Sequence, residues 1–372
     1  MKNGDMTRTP GTIPLERPKQ VVARADALLY LHVARPDLDK STKFLTDFGL
    51  IPITQATAQG DTLHFRGVGE NPVIYSVTRA DRPALLSVGL SVPDRESLAA
   101  LAKESSTTIV PFTGPGGGEM VRLRDPDGIC IEVLYGQAKV APLPSRPPIP
   151  HNSPTQPVRI NDTQRPPVEP PEVTKFGHLV LTSPNFPRKA QWYMRVLGFI
   201  PSDVLCLPDA TPAGTFMRLN LGTTPSDHHT LFVVYGAGAD IDHAAFEVVD
   251  LDAVEMGQQV LKAAGYRHAW GVGRHLLGSQ IFDHWRDPWG LKHEHYADGD
   301  LFDASQPPGY HKLDREGLYQ WGPDLPDDFV AARPSLGQVA SLLRGAVRGE
   351  VKLGPLLAAA RSMRAPGRPW QR

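Results

Sequence analysis

The sequence predicts an α+β chain built from two copies of one βαβββ-type unit, followed by a helical extension. Three observations carry this expectation. Strand-like apolar runs and amphipathic helical stretches follow one another in the same order in both halves. The pentapeptides RDPDG (124–128) and RDPWG (286–290) fall at the same place in each half, each between two strand patterns. Asp94 and Asp250 both open a helix after the third major strand. The implied period is roughly 150–160 residues, much longer than a solenoid repeat.

The elements follow in order. The first residues are polar and proline-bearing and read as an arm (1–25). In the first unit (26–137), Ala27–Ala34 reads as a strand and Leu38–Phe48 as a helix. Leu63–Arg66, Val73–Val77 and Ala84–Val92 read as strands, and Asp94–Glu104 as a helix capped by Asp94. Glu119–Arg124 and Ile129–Leu134 pair around RDPDG, where Gly128 supplies the unusual dihedral. Residues 138–173 are dominated by proline, which cannot sit in a helix interior or a central strand, and read as an extended connector. The order then repeats in 174–302. Strands are expected at Gly177–Leu181, Phe216–Leu221, Thr230–Tyr235, Asp242–Val249, Gln280–Trp285 and Leu291–Tyr296. Helices are expected at Phe186–Leu197 and Leu251–Ala264. Beyond Phe302 (303–372) a loop-like stretch, Gln320–Phe329, precedes amphipathic helical patterns at Ser335–Arg348 and Val351–Arg364. Their arginines suggest a docking or oligomerisation extension with a solvated basic face.

Composition narrows the function. A chain of 372 residues suits two domains, and 41% apolar residues suffice for ordinary cores. A formal net charge of -1 gives no field that would favour nucleic acid or an anionic membrane. Cys130 and Cys206 lie far apart, which argues against a disulfide framework and suits a reducing, cytoplasmic setting. No run approaches the ~20 apolar residues needed to cross a bilayer. The N-terminus lacks an apolar signal core. PGGGE (115–119) lacks the lysine and helix of a phosphate loop.

The chemistry concentrates in the second unit. His178, His243 and Glu294 fall inside strand patterns, and two imidazoles with one carboxylate are the ligand set of a non-haem Fe(II) site with open positions. With the halves aligned on the RDP turn and the Asp-opened helix, His243 falls opposite Ser87, Glu294 opposite Glu132, and His178 opposite Tyr30. His32 is expected out of register. The first half therefore lacks the set that the second half completes. Strand alternation turns His293 and His295 away from any site that Glu294 serves. It likewise turns His228 away from the face used by His229, so His228 is assigned no role. Trp285 and Trp289 read as packing residues, and Asp298 and Asp300 as partners for the C-terminal extension.

The segments GHLVL, DHHTLFVVY, DHAAFEVVDLD and GRHLLGSQIFDHWRDPWGLKHEHYADGD resemble the catalytic domain of type I extradiol ring-cleaving catechol dioxygenases. That family lies within the vicinal oxygen chelate (glyoxalase and bleomycin-resistance-like) superfamily. The resemblance covers Lys175–Asp300 well and Ala27–Tyr135 loosely. It implies two vicinal-oxygen-chelate domains of paired βαβββ modules, the first without metal. It implies His178, His243 and Glu294 as ligands of Fe(II), with Mn(II) the alternative. His229 matches a histidine beside the dioxygen site, and His275 one that contacts substrate. The family tyrosine that bonds a substrate oxygen is replaced here by His284, which can still donate or accept. The implied partners are a small aromatic diol and O2, with a homo-oligomeric assembly. The alternatives are a metal-dependent lyase or isomerase of the glyoxalase type, or a ligand-binding protein without catalysis.

Overall fold

Four short polar caps punctuate the chain. Asp37, Asp94, Asn185 and Asp250 each accept, through the side chain, from the backbone N–H of Lys40, Ser97, Arg188 and Ala253 respectively. Each cap satisfies a donor that the first helical turn leaves unpaired, and each starts the helix of one βαβββ module. The computed structural model describes residues 15–53, 61–330 and 336–364. The start of the expected N-terminal arm and residue 335 lie outside the described residues.

The first module comprises β1 (Ala27–Arg35), α1 (Leu38–Asp47), β2 (Ile51–Pro52), β3 (Thr62–Arg66) and β4 (Tyr75–Arg79). The second comprises β5 (Ala84–Ser91), α2 (Arg95–Glu104), β6 (Val110–Pro111), β7 (Glu119–Arg124) and β8 (Cys130–Tyr135). The third holds β9 (Val173–Ser183), α3 (Phe186–Leu197), β10 (Ile200–Cys206), β11 (Pro212–Arg218), the short β12 (Ser226–Asp227) and β13 (Leu231–Tyr235). The fourth holds β14 (Asp240–Val248), α4 (Leu251–Ala263), β15 (Arg267–Arg274), β16 (Ile281–Arg286) and β17 (Lys292–Ala297). The chain ends with β18 (Leu301–Phe302), β19 (Gly309–Lys312) and helices α5 (Asp327–Val330), α6 (Leu336–Val347) and α7 (Leu353–Ser362).

The two large sheets have one topology. The first runs β6-β7-β8-β5-β1-β4-β3-β2, and the second β15-β16-β17-β14-β9-β13-β11-β10, with β19 added at its edge. The expected α+β class with a helical C-terminal extension is therefore observed. Expected strand ends differ by a few residues in several cases. Two long strands escaped the pattern reading. Every residue of β10 is buried, so it shows no period-2 alternation. β15 carries Gly271 and Gly273, which read as breakers.

The RDP turns also explain how the halves join. Asp125 Oδ1 accepts from the N–H groups of Asp127 and Ile129, and Asp287 Oδ1 from those of Trp289 and Leu291. The second oxygen of each reaches the opposite half. Asp125 Oδ2 pairs with buried Lys189 at 2.9 Å, and Asp287 Oδ2 with buried Arg35 at 2.8 Å. A continuous apolar core from Leu31 and Phe48 to Phe176, Phe246 and Trp285 fills the space between. Residues 138–172 carry no helix or named strand. Arg146 ties this stretch down through two 2.6 Å bonds to the α4 cap, Asp250.

Candidate metal centre

Strand register assembles the site. β17, β14 and β9 are neighbours, with Glu294 opposite Ala245 and Ala245 opposite His178. His243 lies two residues along β14 from Ala245, on the same face. Glu294 Oε2 then lies 3.2 Å from His178 Nε2 and 3.2 Å from His243 Nε2. Alternation sends His293 and His295 the other way, to the Tyr75 hydroxyl (3.0 Å) and the Phe48 carbonyl (2.8 Å) of the first half.

The other candidates converge on the same carboxylate. His284 on β16 is the direct cross-strand partner of Glu294, and its Nε2 lies 3.2 Å from Oε2. His275 places Nε2 3.6 Å from Oε1. The ring of His229 lies 4.1 Å from that of His178, centre to centre. His284 is fully buried.

Glu294 is 0% exposed, and neither carboxylate oxygen accepts a hydrogen bond. An ionised carboxylate in such a place costs several kcal/mol without a cation partner. The donor set around it fits a divalent metal. His243 Nδ1 donates to Asp242 Oδ2 at 2.8 Å, so its Nε2 offers a lone pair to the site. Asp242 is itself braced by Lys292. Burial lowers the pKa of His178 and of His229, and takes that of His284 to about 4. These imidazoles are thereby held neutral, the form that binds a metal. Burial alone would push the Glu294 carboxyl up, so its ionised form calls for a positive partner in the site. His243 is raised instead: burial lowers it, and the bond to Asp242 together with Glu294 more than offsets that.

Two features of the surroundings were not anticipated. His228 does not turn away into an inert position. It is buried, with Nδ1 3.0 Å from His229 Nδ1 and Nε2 2.6 Å from Asp203. Asp203 also binds His311 of β19 at 2.7 Å, so a chain of four side chains leads from His229 to a partly exposed histidine. Asp203 and His311 lie far from His229 in sequence, and no local pattern signals their meeting. The adjacency His228-His229 was the only available sign. Second, part of the C-terminal extension covers the site. His275 Nδ1 donates to the Leu318 carbonyl (2.7 Å), and Phe329 packs edge-on against His284 (4.9 Å). Trp270 stands between them and Tyr319. Asp298 and Asp300 bond not to that extension but to Arg274 and Ser279 beside β15.

Two imidazoles and a buried carboxylate on a curled βαβββ sheet define a metalloprotein of the vicinal-oxygen-chelate class. Residues 175–294 match the family described as Glyoxalase/Bleomycin resistance protein/Dioxygenase superfamily. The chain is 30% identical over 331 residues to "Metapyrocatechase 2" of Cupriavidus necator, covering 85% of this chain and 94% of that protein. The fold matches the Mn(II)-bound glyoxalase from Novosphingobium aromaticivorans with a TM-score of 0.69 at 24% identity, covering 84% of this chain and 96% of that one. It matches homoprotocatechuate 2,3-dioxygenase from Brevibacterium fuscum, complexed with 3,4-dihydroxyphenylacetate, with a TM-score of 0.69 at 18% identity. There the match covers 86% of this chain and 96% of the other. At these identities the two structures speak for the fold alone. The chain belongs to the type I extradiol ring-cleaving dioxygenases of this superfamily.

Proposed function

We propose that this protein opens the ring of a catechol-type substrate beside its diol, using O2 and an Fe(II) ion held by His178, His243 and Glu294. Mn(II) is the alternative ion. One observation carries the site assignment: the buried Glu294 carboxylate meets two imidazole Nε2 atoms at 3.2 Å and no hydrogen-bond donor.

Held by His178, His243 and Glu294, such an ion would supply Lewis-acid and redox chemistry toward a diol and O2. The remaining work falls to this chain's side chains. The carboxylate of Asp203 accepts from His228 Nε2, which leaves His228 Nδ1 to accept from His229 Nδ1. His229 Nε2 then carries a lone pair and serves as the general base and acid beside the oxygen position. His275 is fixed likewise by the Leu318 carbonyl, so its Nε2 faces the substrate position as an acceptor. Trp270, Phe282 and Phe329 exclude water around His284 and strengthen each of these interactions.

Metal analysis and an oxygen electrode with a panel of catechols test the reading. The expected result is bound iron, one O2 consumed per diol and a yellow product. No bound iron and no oxygen uptake with any diol would sink it. The replacement of the family tyrosine by His284 favours one second reading, a glyoxalase-type isomerase or lyase, which would turn over without consuming O2. The assembly is proposed to be a homo-oligomer. A cytoplasmic location is proposed from the free thiols of Cys130 and Cys206. Among the described residues no helix is long and apolar enough to cross a membrane.

A further inference from the structure

We infer that a cavity on the outer side of α3, where that helix meets the RDPDG turn of the first half, binds a small anion carrying a phosphate or carboxylate group. The inference does not depend on the metal reading.

Helical spacing supplies the wall. Arg188, Gln191, Trp192 and Arg195 lie three and four residues apart and so share one face of α3. The other face holds Ala190 and Met194, which share a core with Leu179 and Leu181 of β9. Those leucines alternate with His178, so α3 lies on the side of the sheet away from the candidate metal centre. Arg124, at the end of β7, faces the helix from the first half. Together these residues line a cavity of about 370 Å³, within the size range of small-molecule sites. Three guanidiniums meet there in a chain whose formal net charge is -1.

The lining offers donors in excess. Among the described residues, the side chains of Arg188 and Gln191 and the indole N–H of Trp192 have no hydrogen-bond partner. Arg124 donates to the Gly128 carbonyl at 2.9 Å. Arg195 meets Glu104 at 2.8 Å, but both side chains are exposed, and such a pair is weak. The carboxylate in the wall, Asp125, is already saturated. Its Oδ1 accepts from the N–H groups of Asp127 and Ile129, and its Oδ2 from Lys189 and the Tyr193 hydroxyl. Guanidinium forks match the paired oxygens of a phosphate or a carboxylate. Trp192 adds an apolar surface and one more donor.

The duplication shows the same place in a closed form. Counted from the caps Asn185 and Asp37, the residues Arg188, Gln191, Trp192 and Arg195 correspond to Lys40, Lys43, Phe44 and Asp47 of α1. Arg124 corresponds to Arg286. There Asp47 pairs with Lys43 at 2.6 Å and accepts from the Tyr266 hydroxyl, and Tyr266 packs edge-on against Phe44 at 5.0 Å. Arg286 donates to the Asp328 carbonyl at 2.9 Å. In the second place the cations are paired and the aromatic ring is covered. In the first, arginine stands where Asp47 would be, and the charge is left to a ligand.

Isothermal titration of the full chain with inorganic phosphate, and separately with succinate, tests the inference, with sodium chloride at matched ionic strength as the blank. The expected result is one saturable site per chain for at least one of the two, with a Kd below about 1 mM. Binding should weaken by at least about tenfold in R188A and in R195A. Both arginines are exposed, so neither truncation removes core contacts. K40A, at the related position of α1, should bind as the native chain does. Saturation by phosphate alone assigns a phosphate-bearing ligand, and by succinate alone a carboxylate-bearing one. No saturable binding of either anion overturns the inference. Binding that R188A and R195A leave at native strength overturns it too, because the anion then sits elsewhere.

Discussion

Glu132 and Glu294 occupy the same position in two copies of one sheet, and the two halves satisfy them by different means. Glu132 accepts from the Tyr30 hydroxyl (2.7 Å), the Ser87 hydroxyl (2.7 Å) and the Arg122 guanidinium (2.8 Å). Glu294 faces His178, His243 and His284 at the corresponding strand positions and accepts a hydrogen bond from none of them. The first cluster carries its own protons and positive charge, so it is complete as folded. The second brings no fixed positive charge of its own, so a cation would complete it. Imidazoles in place of the Tyr30, Ser87 and Arg122 donors thus turn a structural ion-pair position into a candidate metal site on the same sheet topology.

That contrast can be broken by experiment, and the largest effect is expected at Glu294. E294Q should lose metal and ring cleavage by more than about 100-fold, beyond the loss usual for a group that only orients a ligand. Metal content and oxygen uptake check it, and an active, iron-loaded E294Q would remove the basis of the comparison. Next comes D242N, which removes the anion that accepts from His243 Nδ1. An expected loss of about 10–100-fold in metal affinity follows, read by chelator competition. E132Q tests the other half. It should cost about 1–3 kcal/mol of stability in chemical denaturation while iron content stays at the native level.

The smallest effect concerns pH. Burial alone would raise the Glu132 pKa, but bonds from Arg122, Ser87 and Tyr30 more than offset it, and the folded pKa is lowered. A carboxylate depressed on folding stabilises above its unfolded pKa, about 4.3, and that contribution is lost as pH falls through the lower folded value. The stability gap between the native chain and E132Q should therefore narrow as the pH drops from neutrality into that range. A gap that widens on acidification would contradict the assignment.

How much of this was legible in the sequence depended on distance along the chain. The helix caps and RDP turns were readable because each is satisfied within a few residues. The duplication made His178, His243 and Glu294 stand out, since Tyr30, Ser87 and Glu132 face them in the alignment. Alternation placed His293 and His295 correctly because side-chain parity is a property of one strand. It failed for His228, which lies beside the two-residue β12, where no sustained alternation applies.

The sequence alone therefore determined the βαβββ duplication and the donor types at matched positions of the two halves. These follow from local periodicity and from residue chemistry at matched positions. Only the tertiary structure decided that His284 stands as close to Glu294 as the other two histidines do, that Asp203 and His311 extend from His229, and that Leu318 and Phe329 cover the site. Those facts depend on cross-strand register and on contacts between residues far apart in the chain, which no local pattern encodes.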